Sequence, residues 1–202
     1  MIEVEIKVRI SNPDQIIRKF EEHNGKYKLS LLHEDTYFNM PKGLRDFRKT
    51  DEALRLRKSI EFHKKLETIK RVTNYFITYK GKKMDLFTKT RKEVDIKIDD
   101  IDKMKVILEE LGFQKIFTIK KQRELYEFEF KNYYLEVLLD YLPLLDQYFL
   151  EVEFLLDSKE NLVETKNVLF DFLSLLGIKK EESIRKSYLE LITEKLEKNL
   201  KI

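Results

Sequence analysis

Residues 2 to 10 alternate strictly between aliphatic and charged side chains, in the order Ile-Glu-Val-Glu-Ile-Lys-Val-Arg-Ile. A period of two places every second side chain on the same face of an extended chain, so this segment predicts a β-strand with one apolar and one ionic face. The ionic face of a single strand ordinarily lies in solvent. Here similar ionic faces recur on several later strands, and if they converge inside a closed barrel the chain builds a charged tunnel.

The remaining pattern predicts seven further strands and four helices. Runs rich in β-branched and aromatic residues predict strands at 27–38, 53–61, 73–80, 88–98, 117–130, 133–140 and 148–156. Apolar residues at helical spacing predict a helix between the Asn12-Pro13-Asp14 cap and Gly25, and helices at 100–111, 158–176 and 181–197. A polar loop is expected at 39–52 and a Lys-rich turn at 62–72. No low-complexity linker divides the chain, so we expect one domain over residues 1–202.

A barrel would explain why so many strands carry an ionic face. About eight strands can close with polar side chains inward, while amphipathic helices cover the apolar outside. The ordinary alternative is a sheet whose apolar face is the core and whose ionic face is wet. Because the ionic pattern recurs along the chain, we favour an α+β fold built on a closed eight-stranded β-barrel with a charged lumen and flanking helices.

The chain also contains two segments with a similar pattern, and we call this similarity the internal echo. The alternating pattern at 4–8, followed by a helix and Gly25, returns at 94–98, followed by a helix and Gly112. A duplicated half-barrel would explain the echo and would place two similar ionic strands opposite each other across one lumen. Chance similarity between two short amphipathic strands explains it equally well, and both interpretations stay open.

The amino-acid composition limits the kinds of partner and metal site that the chain can have. Charged residues make up 38% of the chain, but 40 basic residues against 37 acidic ones leave a net charge of only +3, which does not favour generic nucleic-acid binding. The chain has no cysteine and only three histidines, so a bound metal would be held mainly by carboxylates. No apolar run reaches the roughly 18 residues that span a bilayer. No signal-like segment opens the chain, so we expect a cytoplasmic protein without a membrane partner.

Basic residues on three predicted strands form one candidate binding set. Arg55 and Arg57 are two residues apart and therefore share a strand face, as do Lys121 and Arg123, while Lys80 ends another strand. Crowded cations on neighbouring strands repel one another unless an anion lies between them. Bidentate arginines and the point charges of lysines suit phosphate oxygens, so this set favours a triphosphate ligand.

Acidic residues form a second set. Glu3 with Glu5, and Glu151 with Glu153, each place two carboxylates on one strand face at a separation of roughly 7 Å. Asp140, near the end of the preceding strand, is a natural further ligand. Mg²⁺ or Mn²⁺ prefers carboxylate and phosphate oxygens, so the two pairs predict a divalent-metal site that a substrate completes.

Several segments of the chain resemble those of a known family. The segment Glu3-Val4-Glu5-Ile6-Lys7 resembles the N-terminal ExExK signature of the CYTH family, the triphosphate tunnel metalloenzymes. This family includes class IV adenylate cyclases, thiamine triphosphatases and inorganic tripolyphosphatases. Further segments are similar to family segments in the same order, at 35–38, 53–57, 79–81, 91–93, 121–123, 140, 151–153 and 186–188. The resemblance therefore covers essentially the whole chain and implies an antiparallel eight-stranded tunnel with flanking helices.

The resemblance also implies roles for individual residues. It implies that Asp140 and Glu93 assist a set of four metal ligands, namely Glu3, Glu5, Glu151 and Glu153. It implies a phosphate-binding set that consists of Arg55, Arg57, Lys80, Lys121, Arg123 and Lys186. Lys7 would polarise a phosphate or help to activate the nucleophile. Together with Glu5 and Lys80 it forms the set of candidate catalytic residues.

The expected activity is the metal-dependent hydrolysis of inorganic tripolyphosphate or of an organic triphosphate, such as thiamine triphosphate or a nucleoside triphosphate. A class IV adenylate cyclase is the alternative within the family, because the same residues would serve attack by a ribose 3′-hydroxyl that yields cyclic AMP and pyrophosphate. A triphosphate- or RNA-binding module without turnover is the alternative outside it. Hydrolysis is favoured because no base-recognition site is evident in the sequence. A homodimer is expected from base rates alone.

Overall fold

The computed structural model describes residues 2–64, 70–86, 88–157 and 161–200. Its strands are β1 (Ile2–Ile10), β2 (Lys26–Asn39), β3 (Ala53–Phe62), β4 (Val72–Lys80), β5 (Arg91–Ile98), β6 (Gln114–Phe130), β7 (Tyr133–Leu142) and β8 (Gln147–Leu156). All neighbouring strands pair antiparallel, and they close into a barrel in the order β1-β5-β4-β3-β2-β6-β7-β8. The predicted eight-stranded closed barrel is therefore confirmed.

Five helices within the described residues flank the barrel and complete the α+β fold. They are α1 (Pro13–Glu22), α2 (Phe47–Thr50), α3 (Ile101–Glu110), α4 (Leu162–Leu175) and α5 (Tyr188–Asn199), and a 3-10 turn covers Lys180–Glu182. Polar side chains cap α1 and α5: Asn12, as the sequence predicts, accepts a hydrogen bond from the Gln15 amide, and Ser187 forms a capping box with Glu190. Among the described residues, no helix combines the length and the apolar character needed to cross a membrane.

The strand order relates the two halves of the barrel. If β1–β4 are exchanged with β5–β8, the circular order of the strands does not change. For example, β1 pairs with β8 and, correspondingly, β5 pairs with β4. This symmetry agrees with a duplicated half-barrel. The expectation that the two ionic strands face each other across the lumen is wrong, because β1 and β5 are neighbours that pair through Ile2 with Lys92 and Glu3 with Arg91.

The apolar faces of the strands point outwards and form the main core. Val4, Ile6 and Val8 of β1 are fully buried and belong to one cluster with Leu169 and Phe172 of α4. Residues of α1, β6, β7 and β8 complete this cluster, while α3 packs with β2, β3 and β4 in another. Because the aliphatic residues are buried beneath helices on the outside, the alternating charged residues must face the lumen.

One end of the lumen is apolar. Ile119, Leu142 and Phe149 each lie two residues from a charged inward-facing position on the same strand and so share its face. They form one buried cluster with residues of α5, namely Tyr188, Leu191 and Ile192. The first turns of α5 therefore cover this end of the lumen with apolar side chains.

One strand and one helix begin later than the sequence predicts, each for a physical reason. The strand predicted from residue 88 begins at Arg91, because the segment before it turns towards β1, where the Lys89 amide donates to the Glu5 carbonyl oxygen at 2.9 Å. The last helix begins at Tyr188 rather than at residue 181, because Ser187 caps it and the preceding residues form the 3-10 turn.

The first helix ends at Glu22, three residues before the predicted Gly25. Asn24 adopts the left-handed conformation that follows the helix, with φ of 60°. Gly25 serves packing instead, since a Cβ at this position would lie 2.3 Å from the ring of Phe128. Parts of two other predicted elements, residues 65–69 of the Lys-rich turn and 158–160 of the third long helix, lie outside the described residues.

The packing of α4 on the barrel leads to a test of the fold. Leu169 is fully buried and Val163, on the same helix, is 67% exposed. We expect Leu169→Ala to lower the free energy of unfolding by about 2–5 kcal/mol, because it leaves a cavity against β1. Val163→Ala should change it by less than about 0.5 kcal/mol. Urea unfolding monitored by circular dichroism measures both, and equal effects would contradict the packing of α4.

Candidate active site

The inward faces of the strands line a cavity of about 700 Å³. This volume is in the range of small-molecule binding sites. The charged residues deep in its lining are Glu3, Glu5, Asp35, Arg55, Arg57, Lys80, Lys89, Arg91, Glu93, Lys121, Arg123, Glu151 and Glu153. The ionic strand faces therefore converge on one enclosed surface, as the alternation predicts.

Three carboxylates from neighbouring strands meet in this cavity, and we call them the carboxylate cluster. Glu5 of β1 lies directly opposite Glu153 of β8 in the antiparallel register, and Glu3 lies two residues away on the same face of β1. One oxygen from each of the three lies within 4.8 Å of the other two. Within the part of the chain that the structure describes, Glu153 forms no ion pair, so no cationic side chain is paired directly with this carboxyl group.

The carboxylate cluster resists ionisation in the absence of a cation. Burial raises the pKa of Glu5 to about 7, and the adjacent Glu151 carboxylate acts in the same direction. Burial and then the charge of Glu3 raise the pKa of Glu153 well above its usual value. Burial also raises the pKa of Glu3, although Lys80 opposes this effect. A cation bound between these groups would favour their charged forms and relieve the repulsion.

Asp35 holds two arginines at the cavity wall. It lies opposite Arg57 across the β2–β3 register, and Arg57 donates two hydrogen bonds to its oxygens at 2.6 and 2.7 Å. The Nη1 atom of Arg55 lies 3.6 Å from the same carboxylate. Burial alone would raise the pKa of Asp35, but Arg57 and Arg55 outweigh it and hold the pKa well below its usual range.

Asp140 plays the corresponding part in the other half of the barrel. It lies opposite Arg123 across the β6–β7 register and accepts two hydrogen bonds from that guanidinium at 2.6 and 2.7 Å. Lys121 and the hydroxyl of Tyr188 each donate to its Oδ2 atom at 2.9 Å. Burial and then the charge of Arg123 lower the pKa of Lys121 to about 8. Asp140 is fully buried behind these cations and does not line the cavity.

Lys89 bridges the two acidic strands. Its ammonium contacts the Glu5 carboxylate closely and donates to Glu151 at 2.9 Å. Glu151 also accepts from Arg123 at 2.5 Å. Burial opposes the ionisation of Glu151, but Lys89, Lys121 and Arg123 together hold its pKa well below the usual range. Glu151 is therefore engaged with cations, whereas Glu153 is not.

Lys80 links the carboxylate cluster to β5. Its ammonium donates to Glu3 at 3.0 Å and to Glu93, its cross-strand partner, at closer range. Burial disfavours the Glu93 carboxylate, but Lys80 outweighs this effect and lowers the pKa of Glu93 to about 2. Lys80 and Lys89 thus hold two of the three clustered carboxylates through one ammonium each.

Lys7 is fully buried below the cavity. Its Nζ atom has no hydrogen-bond partner among the described residues and lies 4.0 Å from Glu151. Burial, reinforced by the charge of Lys89, lowers the pKa of Lys7 well below its usual value. The Nζ atom also lies 4.1 Å from the centre of the Tyr188 ring.

The cavity brings together most of the residues that the sequence singles out. Those that line it are Glu3, Glu5, Arg55, Arg57, Lys80, Glu93, Lys121, Arg123, Glu151 and Glu153. Lys7 and Asp140 lie directly behind this lining. Lys186 lies outside it, since its side chain is 51% exposed and pairs with Glu194. The sequence suggested that the cations are crowded together. The structure shows instead that carboxylates lie between many of them.

Among the charged residues deep in the lining, Asp35, Lys89 and Arg91 are those to which sequence reasoning assigned no role. The residues Lys89, Arg91 and Glu93 alternate at a spacing of two, which is the same signal that identified the other ionic faces. No such alternation marks Asp35, because its contact with Arg57 depends on the pairing of two strands.

The residues present fit a hard divalent cation. The carboxylate cluster supplies oxygen ligands within reach of one ion, and neither cysteine nor histidine contributes to it. Mg²⁺ and Mn²⁺ prefer such ligands and keep open positions for water or phosphate. The surrounding guanidinium and ammonium groups suit phosphate oxygens. The cavity can therefore bind a polyphosphate and a divalent cation next to each other.

Comparisons with known proteins agree with this geometry. The family model of the CYTH domain matches residues 1–188. The protein "Putative adenylate cyclase MJ0240" of Methanocaldococcus jannaschii is 38% identical over 192 residues, which cover 95% of this chain and 98% of that protein.

Solved structures with the same fold include the PH1819 protein of Pyrococcus horikoshii. It superposes with a TM-score of 0.79 at 36% identity and covers 96% of this chain and 99% of its own. HpAC1 of Hippeastrum, an adenylyl cyclase by name that is described as having a dominant triphosphatase activity, has a TM-score of 0.63 at 17% identity, with 95% of each chain covered. At this identity, HpAC1 shows a shared fold alone.

The carboxylate cluster leads to a prediction about stability without a cation. A carboxylate whose folded-state pKa is raised stabilises the fold less as it loses its proton, so metal-free protein should lose thermal stability as pH rises from about 5 to about 8. Glu153→Gln should weaken this loss and raise the melting temperature at pH 7 in chelator, because it removes one repelling charge. It should also abolish the stabilisation by Mg²⁺ or Mn²⁺.

Melting curves in chelator and in Mg²⁺ or Mn²⁺, at several pH values, measure this effect. Glu129→Gln is the matched control, because Glu129 is exposed near the end of β6 and is not part of the cavity lining. An undiminished metal-dependent shift in Glu153→Gln would contradict the assignment of Glu153 to the carboxylate cluster.

Proposed function

The chain belongs to the CYTH domain family, and from this premise we propose that it is a divalent-metal-dependent triphosphatase. The observation that carries the proposal is one cavity in which cations of several strands surround the carboxylate cluster. Cations alone would suffice for a module that only binds triphosphate. Only phosphoryl chemistry also needs clustered carboxylates beside the cations.

In the proposed reaction, basic residues from different strands bind the phosphate oxygens. Arg55 and Arg57 are already held at the wall by Asp35, and Arg123 and Lys121 by Asp140. Such preorganised donors need little rearrangement as negative charge develops at phosphorus. Lys89 and Arg91, which line the same cavity, extend this proposed phosphate-binding set.

The carboxylate cluster would hold the divalent cation, Mg²⁺ or Mn²⁺. When bound, that cation would neutralise phosphate charge and lower the barrier to attack at phosphorus. Glu5 would serve as a ligand, while Lys80 would hold Glu3 and contact phosphate from the opposite side. Lys7 would polarise a phosphate or help to activate the nucleophile, since it lies beneath the cavity beside Glu151. Asp140 and Glu151 support the site through their arginine and lysine partners.

A class IV adenylate cyclase remains the second candidate because of two observations. The relative from Methanocaldococcus jannaschii carries a cyclase name. The lining of the cavity also includes Phe47, Ile116 and Leu189, which offer apolar surface to an organic group. Hydrolysis is preferred because it needs contacts to phosphates alone. The fold shared with HpAC1 is compatible with either reaction.

The lumen arginines give a prediction about binding. We expect Arg57→Ala and Arg123→Ala to weaken tripolyphosphate binding by roughly ten- to a hundredfold, because each removes charge-assisted hydrogen bonds in a desolvated site. Lys64→Ala should weaken it by less than about threefold, because the Lys64 side chain is 51% exposed and screened by solvent. Isothermal titration calorimetry at fixed salt compares the variants, after melting curves establish that each is folded. Similar losses in all three would contradict a binding site inside the barrel.

Product analysis separates the candidate reactions. We expect purified protein with Mg²⁺ or Mn²⁺ to cleave tripolyphosphate to pyrophosphate and orthophosphate faster than it converts ATP to cyclic AMP, because hydrolysis needs no contact to base or ribose. Thiamine triphosphate is assayed in parallel, and chromatography resolves the products. Cyclic AMP as the main product, with tripolyphosphate acting only as an inhibitor, would establish the cyclase instead. Binding of all three without turnover would support a binding module.

A further inference from the structure

Tyr188 connects the covering helix α5 to the charged groups of the lumen. It is the first residue of α5, it is 7% exposed, and its ring lines the cavity next to the buried cluster at that end of the barrel. Its hydroxyl donates to the Oδ2 atom of Asp140 at 2.9 Å. Asp140 in turn holds Arg123 and Lys121, so the hydroxyl belongs to the network that orients these two cations.

The ring of Tyr188 has a separate set of contacts. Three ammonium groups surround it, with Nζ atoms at 4.1 Å (Lys7), 5.1 Å (Lys121) and 5.7 Å (Lys89) from the ring centre. The face of an aromatic ring carries negative partial charge and attracts a cation within about 6 Å, most strongly where water is excluded. One side chain therefore contacts cations from β1, from β6 and from the segment that precedes β5.

Lys7 depends most on this ring. Its Nζ atom has no hydrogen-bond partner among the described residues, and the carboxylate of Glu151 is 4.0 Å away. Lys121 and Lys89, in contrast, each donate to a carboxylate at 2.9 Å. The Tyr188 ring is closer to Lys7 than the ring of Phe149, which lies 5.9 Å away. Among the described residues, the Lys7 ammonium therefore lies against an aromatic ring and donates no hydrogen bond to an anion.

We propose that Tyr188 is a positioning residue of this site, whose ring keeps the Lys7 ammonium directly behind the cavity lining and apart from Glu151, while its hydroxyl orders Asp140 beneath Arg123 and Lys121. This inference rests on the proposed function, in which Lys7 acts on the reacting phosphate and the other two cations bind phosphate. It separates two effects within one side chain. The ring acts on the chemical step and the hydroxyl acts on binding.

Two substitutions distinguish these effects. Tyr188→Phe keeps the ring and removes the donor to Asp140, so we expect KM for tripolyphosphate to rise by about three- to tenfold, with kcat within about threefold of wild type. Tyr188→Leu also removes the ring, and Lys7 can then close onto Glu151 as a direct ion pair. We expect kcat of Tyr188→Leu to fall by about tenfold or more relative to Tyr188→Phe, since the cation–ring contact is desolvated.

Tyr126 provides the matched control. It is 6% exposed, and its hydroxyl also donates to a carboxylate, that of Glu124 at 3.1 Å, but it packs in the outer core. Tyr126→Phe and Tyr126→Leu should lower stability as any buried tyrosine substitution does, yet leave both kcat and KM within about twofold of wild type. Steady-state kinetics below the melting temperature of each variant make this comparison.

A readout without turnover tests the ring contact directly. In metal-free protein labelled with ¹³C- and ¹⁵N-lysine, the ε-methylene protons of Lys7 should be shifted upfield by the ring current of Tyr188. The Lys7→Arg variant identifies this signal. The shift should persist in Tyr188→Phe and disappear in Tyr188→Leu, while both Tyr126 variants should retain it.

Several results would overturn the inference. An unshifted Lys7 signal in the wild type would show that the ring does not contact this residue, whether or not the Leu variant folds. Equal kcat values for Tyr188→Phe and Tyr188→Leu would assign the ring to packing alone. If the wild type turns over none of the triphosphates, the proposed function fails, whereas the lysine spectrum still decides whether Tyr188 positions Lys7.

Discussion

Compensation of buried charge is the constraint on which the structure depends. Taking a guanidinium or a carboxylate out of water costs several kcal/mol unless a partner with good geometry replaces the solvent. The lumen meets this requirement by cross-strand register: Asp35 lies opposite Arg57 and Asp140 lies opposite Arg123, and each pair forms two hydrogen bonds. The arginines are therefore fixed before any ligand arrives, at the wall of a cavity that suits a polyphosphate.

Compensation is incomplete at the carboxylate cluster, and this is the place where a cation fits. Glu5 and Glu153 lie opposite each other on β1 and β8, so the same register that neutralises charge elsewhere brings like charges together here. Burial first, and then neighbouring carboxylates, raise the pKa values of both groups. The proposed metal dependence follows from this arrangement, because a divalent ion between these carboxylates would relieve their repulsion.

The helices make this arrangement possible by covering the aliphatic faces that a polar lumen leaves on the outside. α4 and α1 pack on β1, β6, β7 and β8, and α3 packs on the strands of the other half. α5 differs from them because it covers an end of the barrel rather than a side. Tyr188 is therefore the point at which a covering helix reaches the charged network.

The alternation of single residues was enough to predict the strands and the barrel, because the period of two is a local property of an extended chain. It also identified Glu5, Arg57 and Arg123 as inward-facing, since a charged face that repeats on many strands is typical of a barrel with a polar lumen. The start of β5 was predicted too early, because the hydrogen bond between Lys89 and Glu5 joins segments far apart in sequence.

The partners of the charged residues could not be predicted in this way. Strand register decides that Glu151 pairs with Lys89 and Arg123 while Glu153 joins the carboxylate cluster, although both glutamates share one sequence motif. The contact between Lys7 and Tyr188 joins two ends of the chain and leaves no trace in either local pattern. The sequence by itself therefore determined which residues face inward, whereas the tertiary structure decided which charges neutralise each other, because pairing depends on distances across strands rather than along them.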